Sequence, residues 1–324
     1  MQKSKIKRIA VLTTGGDAPG MNAAIRGVVR CALSSKIEVM GVFRGWAGLM
    51  NEDLKFFNHR SVSGIINQGG TILKTARSKE FHTKDGQKRA YEVIKKHSID
   101  ALVVIGGNGS FTAAHSFYKN FKVPSIGIPA SIDNDVNGID ITIGSDTAVN
   151  TALMAIDNIR DTATSMERVF VVEVMGRDCG FIALEVALAG GCEDAIIPEH
   201  KVDIDKICDN IVEGNIRGKI SWIIITAEGA AKAQDIAKKI NDITGLETRA
   251  IVLGHIQRGG RPTALSRTIA LILSHAAINC LCQGEFNKVV GTKDGKIIFV
   301  DFKTAIKKKK IKLARYHSLL DTLR

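Results

Sequence analysis

Ala101-Leu-Val-Val-Ile-Gly-Gly-Asn-Gly-Ser110 is an apolar run that breaks into glycines around one asparagine. Such a run reads as a buried strand, and the glycines after it as a turn that opens a helix. With no Cβ in the way, backbone N–H groups and a helix N-terminus can approach a phosphate. The chain repeats the pattern where Ile9–Leu12 breaks into Gly15-Gly-Asp-Ala-Pro-Gly20. One such turn serves many proteins for structural reasons only. Two of them, with Pro129-Ala-Ser-Ile-Asp-Asn-Asp135 downstream, point to a site that handles phosphoryl groups.

Outward from these stretches, short apolar runs alternate with helical patterns, the mark of an α/β protein with largely parallel sheets. Strands are predicted at Ile9–Leu12, Glu38–Val42, Ala101–Ile105, Ser125–Ile128, Val169–Val174, Ala195–Ile197 and Trp222–Thr226. Several are apolar on both faces, as when helices cover both sides of a sheet. Helical spacing is evident over Thr147–Ile159, Asp203–Arg217 and Lys232–Thr244. No Pro/Ser-rich linker divides the chain, so any domain boundary follows topology rather than a tether. Ligand-capable loops are expected at the C-terminal ends of the strands.

A chain of 324 residues, 45% hydrophobic, can bury a large core and build two domains. No apolar run approaches the roughly 20 residues that span a bilayer, and Ile9–Leu12 is too short for a signal-peptide core. No membrane association is expected. The six cysteines, Cys31, Cys179, Cys192, Cys208, Cys280 and Cys282, form no CxxC pair, and read as buried, reduced thiols of a cytoplasmic protein. The net charge of +12 is concentrated at the chain ends, which supply ten of the twelve charges. With aromatics at 5%, a base-stacking platform and a nucleic-acid partner are not expected. The Lys307–Lys310 run reads as a solvated helix face or tail.

Ser131-Ile-Asp-Asn-Asp135 places two carboxylates two residues apart, directly after a strand. One can accept a hydroxyl proton while the other orients a metal–phosphate. The same residues also suit an Asx turn that merely bonds its own backbone. Three further loops supply cations: Lys74-Thr-Ala-Arg77 after Gly69-Gly70, Met175-Gly-Arg177 at a strand end, and His255-Ile-Gln-Arg-Gly-Gly260. A set of cationic strand-end loops is what doubly phosphorylated ligands require.

Taken together, Gly15–Arg30, Gly106–Ser110, Pro129–Asp135, Val171–Arg177 and Gly254–Gly260 resemble the bacterial-type ATP-dependent 6-phosphofructokinases. The resemblance runs from about Lys7 to the last helix. It implies two Rossmann-like three-layer α/β/α domains, the phosphofructokinase fold. The larger, ATP-binding domain would comprise residues 1–143 and 258–311, the smaller, sugar-phosphate-binding one 144–257 and 312–324. The implied reaction, the committed step of glycolysis, moves the γ-phosphate of ATP to fructose 6-phosphate, with Mg2+ as cofactor. Catalytic roles fall on Asp133 as base, Ser131, Arg77 and Arg177. ATP contacts fall on Gly16, Arg77, Ser78, Gly107, Asn108, Gly109 and Ser110, and the metal on Asn108 and Asp135. Substrate contacts fall on Ser131, Ile132, Asp133, Met175, Gly176, Arg177, Glu228, His255, Ile256, Gln257 and Arg258. Arg168 and Arg249 match arginines lent by a neighbouring subunit of a homotetramer. Arg26, Arg30, His59, Arg160, Glu193, Arg217 and Lys219 fall on a pocket for an ADP or phosphoenolpyruvate effector.

The departures are as informative as the matches. Asn108 stands at the family's magnesium-ligand aspartate, and Ser131 where threonine is common. Gly109 is kept, where pyrophosphate-dependent relatives carry an obstructing aspartate. Ala130 replaces the usual glycine and is not the lysine of pyrophosphate users, so the donor reads as ATP. Two other readings remain: a pyrophosphate-dependent enzyme, and a catalytically weak regulatory paralogue for which Asn108 is the sole support.

Overall fold

Val- and Ile-rich runs become interior strands because helices can cover both faces, whereas the lysine-bearing runs Leu54–Phe57 and Lys296–Asp301 take the edges of their sheet. The computed structural model describes residues 6–311, together with Tyr316, Leu319, Leu320 and Thr322. In chain order its strands are β1 (Arg8–Thr13), β2 (Glu38–Val42), β3 (Leu54–Phe57), β4 (Ala101–Gly106), β5 (Ser125–Ser131), β6 (Ile143–Gly144), β7 (Val169–Val174), β8 (Asp194–Ile196), β9 (Trp222–Ala227), β10 (Thr248–Val252), β11 (Lys288–Lys293) and β12 (Lys296–Asp301). The helices are α1 (Met21–Ser34), α2 (Gly45–Met50), α3 (Lys84–Lys96), α4 (Asn108–Phe121), α5 (Ser145–Met166), α6 (Phe181–Ala189), α7 (Ile204–Ile216), α8 (Ala233–Thr244), α9 (Ala264–Cys282) and α10 (Phe302–Ala305). Two compact units result, Met1–Asp146 with Arg258–Lys309, and Thr147–Gln257 with Lys310–Arg324.

The first unit holds one sheet in the order β12-β11-β5-β4-β1-β2-β3, with β6 beside β5. Its interior pairs are parallel, and the outer pairs β11–β12 and β2–β3 are antiparallel. β2 and β3 extend from one side of β1, and β4 and β5 from the other. The strand order therefore reverses between β1 and β4, where Leu12 lies opposite Val104 and Thr13 opposite Ile105. Leu12, Leu102, Val104, Phe111 and Phe117 share one buried cluster with Trp46, which stacks on Phe81 at 4.3 Å. α9 packs on α1 where Gly27 leaves room for Ser274, whose Oγ donates to the Ala24 carbonyl at 3.0 Å.

The second unit is a wholly parallel sheet, β10-β7-β9-β8, with Val169, Val171, Trp222, Ile224, Ile236 and Ile240 in its core. Both units are α/β with largely parallel sheets, as the alternation of apolar runs and helical patterns predicts.

Several expectations need correction. α9 is long and apolar enough to cross a membrane, although more than half of it is buried inside the unit. Arg267 and polar residues break its apolar run, which is why no such stretch stood out in the sequence. Lys307–Lys310 forms no helix; Lys308 makes an antiparallel bridge with Val136, and Lys309 Nζ donates to the Asp140 carbonyl at 3.3 Å. Of the six cysteines, Cys282 is exposed and Cys31 partly so, because their helix faces turn outward, while the other four are buried. The β11–β12 hairpin was not foreseen, although its turn, Asp294-Gly295 with both φ positive, is a strong hairpin signal. Much of 312–324 lies outside the described residues.

Gly106 ends β4 where a Cβ would sit 2.5 Å from the Thr14 carbonyl and press on Ser110. Gly106→Ala is therefore expected to destabilise the fold by about 1–3 kcal/mol, the usual cost of overpacking. A denaturant melt of the two proteins checks this, and an unchanged midpoint would contradict the close approach.

Candidate active site

The two glycine turns meet at the crevice where the strand order of the first unit reverses, the place where open α/β sheets bind ligands. They are stitched together, because Thr14 N–H donates to the Ile105 carbonyl at 3.1 Å and Ser110 Oγ donates to the Thr14 carbonyl at 2.9 Å. α1 and α4 both start behind a glycine N-cap, Gly20 and Gly107, with no side chain accepting from their first turn. α3, α7 and α9 are capped by Thr83, Asp203 and Thr263. Met21 N–H donates to the Ala18 carbonyl and Ser110 N–H to the Gly107 carbonyl, while among the described residues the N–H groups of Asn22 and Ala23 in α1 and of Asn108 and Gly109 in α4 are left for another acceptor, as at anion sites. A Cβ on Gly109 would meet nothing within 4 Å, so the loop is open on that side. Arg258 belongs to this unit: its guanidinium lies against Gly16, and its Nη1 donates to the Asp17 carbonyl at 3.2 Å.

β5 delivers the paired carboxylates beside these turns, since Pro129 pairs with Gly106 across the sheet. Ser131 Oγ accepts from Asp133 N–H at 3.3 Å and donates to Asp135 Oδ1 at 3.1 Å. Asn134 takes the left-handed conformation, φ +50°. Its side chain accepts from Thr142 N–H at 3.0 Å and donates to the Asp140 carbonyl at 2.9 Å. The local-turn alternative is thus partly realised, but by Ser131 and Asn134, which leave Asp133 with only 5% of its surface exposed. Such burial suits a carboxylate that handles a proton away from bulk water. Ile132 is buried in the same turn. Beneath it, Asn137 Nδ2 donates to the Thr304 carbonyl at 3.1 Å.

Asn108, the first residue of α4, reaches across to this turn. Its Nδ2 donates to Asp135 Oδ2 at 2.9 Å and to the Asp135 carbonyl at 3.1 Å. Its Oδ1 is buried and has no hydrogen-bond partner among the described residues. Among those residues, no group of three or more His, Cys, Asp and Glu is arranged to hold a metal. One carboxylate and one carboxamide oxygen fit a hard cation whose other ligands come from phosphates and water. Arg77 and Ser78 follow a segment anchored to β1, where Thr13 Oγ1 donates to the Lys74 carbonyl at 2.9 Å. The same segment is held by the buried Asn22, which donates to the Gln68 and Gly69 carbonyls and accepts from Ile72 N–H at 2.7 Å.

In the second unit, Met175-Gly176-Arg177 follows β7, Glu228 follows β9 and His255-Ile256-Gln257 follows β10, all at one edge of a parallel sheet. Arg177 N–H donates to Glu228 Oε1 at 3.2 Å. This approach depends on Gly229, where a Cβ would overlap the Arg177 carbonyl. Arg168 and Arg249 lie at the opposite edge, around the amino ends of β7 and β10. Glu247 joins them: it accepts from Arg168 Nε at 2.8 Å and pairs with Arg249.

The residues matched to an effector pocket divide between the units. In the first, Arg30 Nη2 donates to the His59 carbonyl at 3.1 Å, and Arg26 lies on the same helix. In the second, Arg160 donates to the Gly190 and Gly191 carbonyls, Lys219 Nζ lies 2.9 Å from Glu193 Oε1, and Arg217 pairs with Glu213. Burial pushes the neighbouring Cys192 thiol up to about 12, so it is no nucleophile at neutral pH.

Glycine turns at a switch point, a buried carboxylate after the adjacent strand and arginine-bearing loops define a phosphoryl-handling α/β protein. Residues 8–281 match the family model described as Phosphofructokinase, and the chain belongs to that family. It is 53% identical over 301 residues to the ATP-dependent 6-phosphofructokinase of Clostridium tetani, and 51% identical to that of Clostridium acetobutylicum. Each alignment covers 93% of this chain and 94% of the relative. Among solved structures, phosphofructokinase from Saccharomyces cerevisiae superposes with a TM-score of 0.88 at 34% identity, over 98% of this chain. This chain spans 47% of the yeast chain's length. The pyrophosphate-dependent phosphofructokinase of Marinobacter aquaeolei shares the fold, with a TM-score of 0.84 at 23% identity, over 98% of this chain and 91% of that one.

Asn134, Asn22 and Gly229 escaped the sequence reading because their roles lie in backbone they brace rather than in reactive groups. An asparagine between two aspartates was the available signal for a left-handed turn. Asn134→Ala removes both side-chain bonds and strains the turn, and should lower turnover about 10- to 100-fold, as misplaced reacting groups do. Asn134→Gly restores the backbone freedom and should recover part of that loss with KM little changed. Steady-state kinetics with parallel melting curves check this; equal turnover in the two variants would deny the turn a positioning role.

Proposed function

We propose that the chain is an ATP-dependent 6-phosphofructokinase that transfers the γ-phosphoryl group of ATP to the 1-hydroxyl of fructose 6-phosphate. The observation that carries the reading is the buried Asp133, held on a braced turn next to two stitched phosphate-type loops. Identity of about half the residues with enzymes of that name, over nearly their whole length, supports the same assignment.

In this reading Asp133 accepts the proton of the 1-hydroxyl as its oxygen bonds to the γ-phosphorus. The bond from that phosphorus to the bridging oxygen breaks, and ADP leaves with the electron pair. Ser131 keeps Asp135 and the Asp133 backbone in register. The N–H groups of Asn22 and Ala23 at the start of α1 and of Asn108 and Gly109 at the start of α4, with Gly16, Arg77, Ser78 and residues 107–110, bind the triphosphate. Arg77 and Arg177 offset charge that spreads over the transferred group, an effect strong in a dry, preorganised site. Arg177, Glu228, His255 and Arg258, with Met175, Gly176, Ile256 and Gln257, form the sugar-phosphate set. The first unit then serves as the donor domain and the second as the acceptor domain. Asn108 Oδ1 and Asp135 hold Mg2+ that arrives on the nucleotide, and the ion would neutralise phosphate charge. Retention of Gly109, with open space at its Cβ position, favours ATP over pyrophosphate. The enzyme acts as a cytoplasmic homotetramer. Arg26, Arg30, His59, Arg160, Glu193, Arg217 and Lys219 contribute to effector sites between subunits, for ADP or phosphoenolpyruvate. Arg168 and Arg249, at the edge away from Arg177, serve a neighbouring subunit.

A coupled assay with fructose 6-phosphate should yield product with ATP and Mg2+ and little with pyrophosphate, and the reverse preference would overturn the donor assignment. In the same assay Asp133→Asn should lose about 10²–10⁴-fold in turnover, the range for a removed general base, with sugar-phosphate binding retained. Most of the turnover surviving, with chemistry rate-limiting, would take the base role from Asp133.

Hybrids of Arg168→Ala and Asp133→Asn subunits should be more active than either parent, since some sites regain two intact halves. Verified hybrid tetramers without that recovery would show that each subunit supplies its own arginines.

A further inference from the structure

Among the described residues, the donors that hold the Asp135 carboxylate are neutral. Asn108 Nδ2 gives it one hydrogen bond on Oδ2 and Ser131 Oγ another on Oδ1, at 2.9 and 3.1 Å. Asn108 also spans to the Asp135 backbone carbonyl at 3.1 Å. Two acceptors on one side of the carboxamide fix its orientation: the NH₂ group must face Asp135, and Oδ1 must face away. That Oδ1 is the atom left buried without a partner among the described residues.

An aspartate at position 108 would put a second carboxylate about as close to Asp135 as the amide nitrogen is now. Two carboxylates at such a distance cannot both stay ionised unless a cation or a proton lies between them. The pair would be organised only with metal bound. With asparagine, the pair is closed by a charge-assisted hydrogen bond and needs no ion. The cost is a weaker ligand set: one negative charge instead of two, on a carboxylate whose oxygens already accept hydrogen bonds. Magnesium sheds water reluctantly and favours carboxylates and phosphate oxygens. Such a set holds a free divalent cation poorly, yet Oδ1 still offers one oxygen to a cation brought in by phosphates.

We propose that Asn108 is a positioning residue whose amide latches Asp135 in place of a metal ion. The site is thereby preassembled without divalent cation, and takes its metal only as a complex with the phosphoryl donor. The consequence for catalysis rests on the phosphofructokinase reading; the latch itself rests on the contacts alone.

The test uses the intact protein without nucleotide or sugar phosphate, so that it reports on the latch even if the assigned reaction is wrong. Melting curves are recorded in chelator and in excess Mg2+, and Mn2+ binding is titrated by electron paramagnetic resonance. The wild type should melt at the same temperature in both media and bind Mn2+ weakly. Asn108→Asp should melt lower in chelator, recover with Mg2+, and bind Mn2+ at least about tenfold more tightly, as an added charge at close range requires. Equal Mn2+ affinity in the two proteins, or an Asn108→Asp form as stable in chelator as the wild type, overturns the proposal. Should Asn108→Asp fail to fold, Asp135→Ala decides. Loss of the latched group must lower the melting temperature in chelator, and an unchanged value refutes the latch.

Discussion

The bond from Ser110 Oγ to the Thr14 carbonyl, beside that from Thr14 N–H to the Ile105 carbonyl, is the constraint on which the first unit's site depends. It closes the ends of β1 and β4 where the sheet changes direction. Gly106 makes the closure possible, because a side chain there would collide with both partners. Beyond these joined strand ends α1 and α4 both start behind glycine caps, and β5 delivers its carboxylates beside the β4 end. A buried carbonyl left without this bond would cost about 1–3 kcal/mol, a sizeable share of a domain's net stability.

Within each unit the candidate site's side chains are held by groups that brace the backbone. Asn134 sets the turn between the two carboxylates, Asn22 ties down the segment leading to Arg77, and Gly229 lets Glu228 reach the Arg177 backbone. Each uses a short-range hydrogen bond or a missing Cβ rather than a long flexible contact. A base must meet its proton at hydrogen-bond distance, which demands support of this kind. In the second unit, Glu247 gathers Arg168 and Arg249 at the edge away from the Arg177 loop. Exposed pairs of this type contribute little stability, and here the pairing matters for where the two cations stand.

Much of this was legible in the sequence. Interior strands could be read because apolar runs such as Ala101–Ile105 and Trp222–Thr226 tolerate no other setting in an α/β chain. Both glycine turns and the Ser131–Asp135 segment could be read because turn chemistry is local. The edge strands β3, β10 and β12, and β11 beside β12, were not, since a half-exposed strand carrying lysine or threonine lacks a strong hydrophobic pattern. Nor was the extended path of Lys307–Lys310, which depends on a backbone bridge to Val136 far away in the chain.

By itself, then, the order of residues determined the α/β class, the positions of the phosphate-type turns and the identity of the paired carboxylates. Each is a property of neighbouring residues, or of a pattern repeated over a few turns. Only the tertiary structure decided that Asn108 hydrogen-bonds Asp135 and that Arg258 lies on Gly16. It alone set Arg168 and Arg249 at the sheet edge opposite Arg177. These relations join residues from different strands, and strand order and direction are chosen by burying apolar faces over the whole sheet.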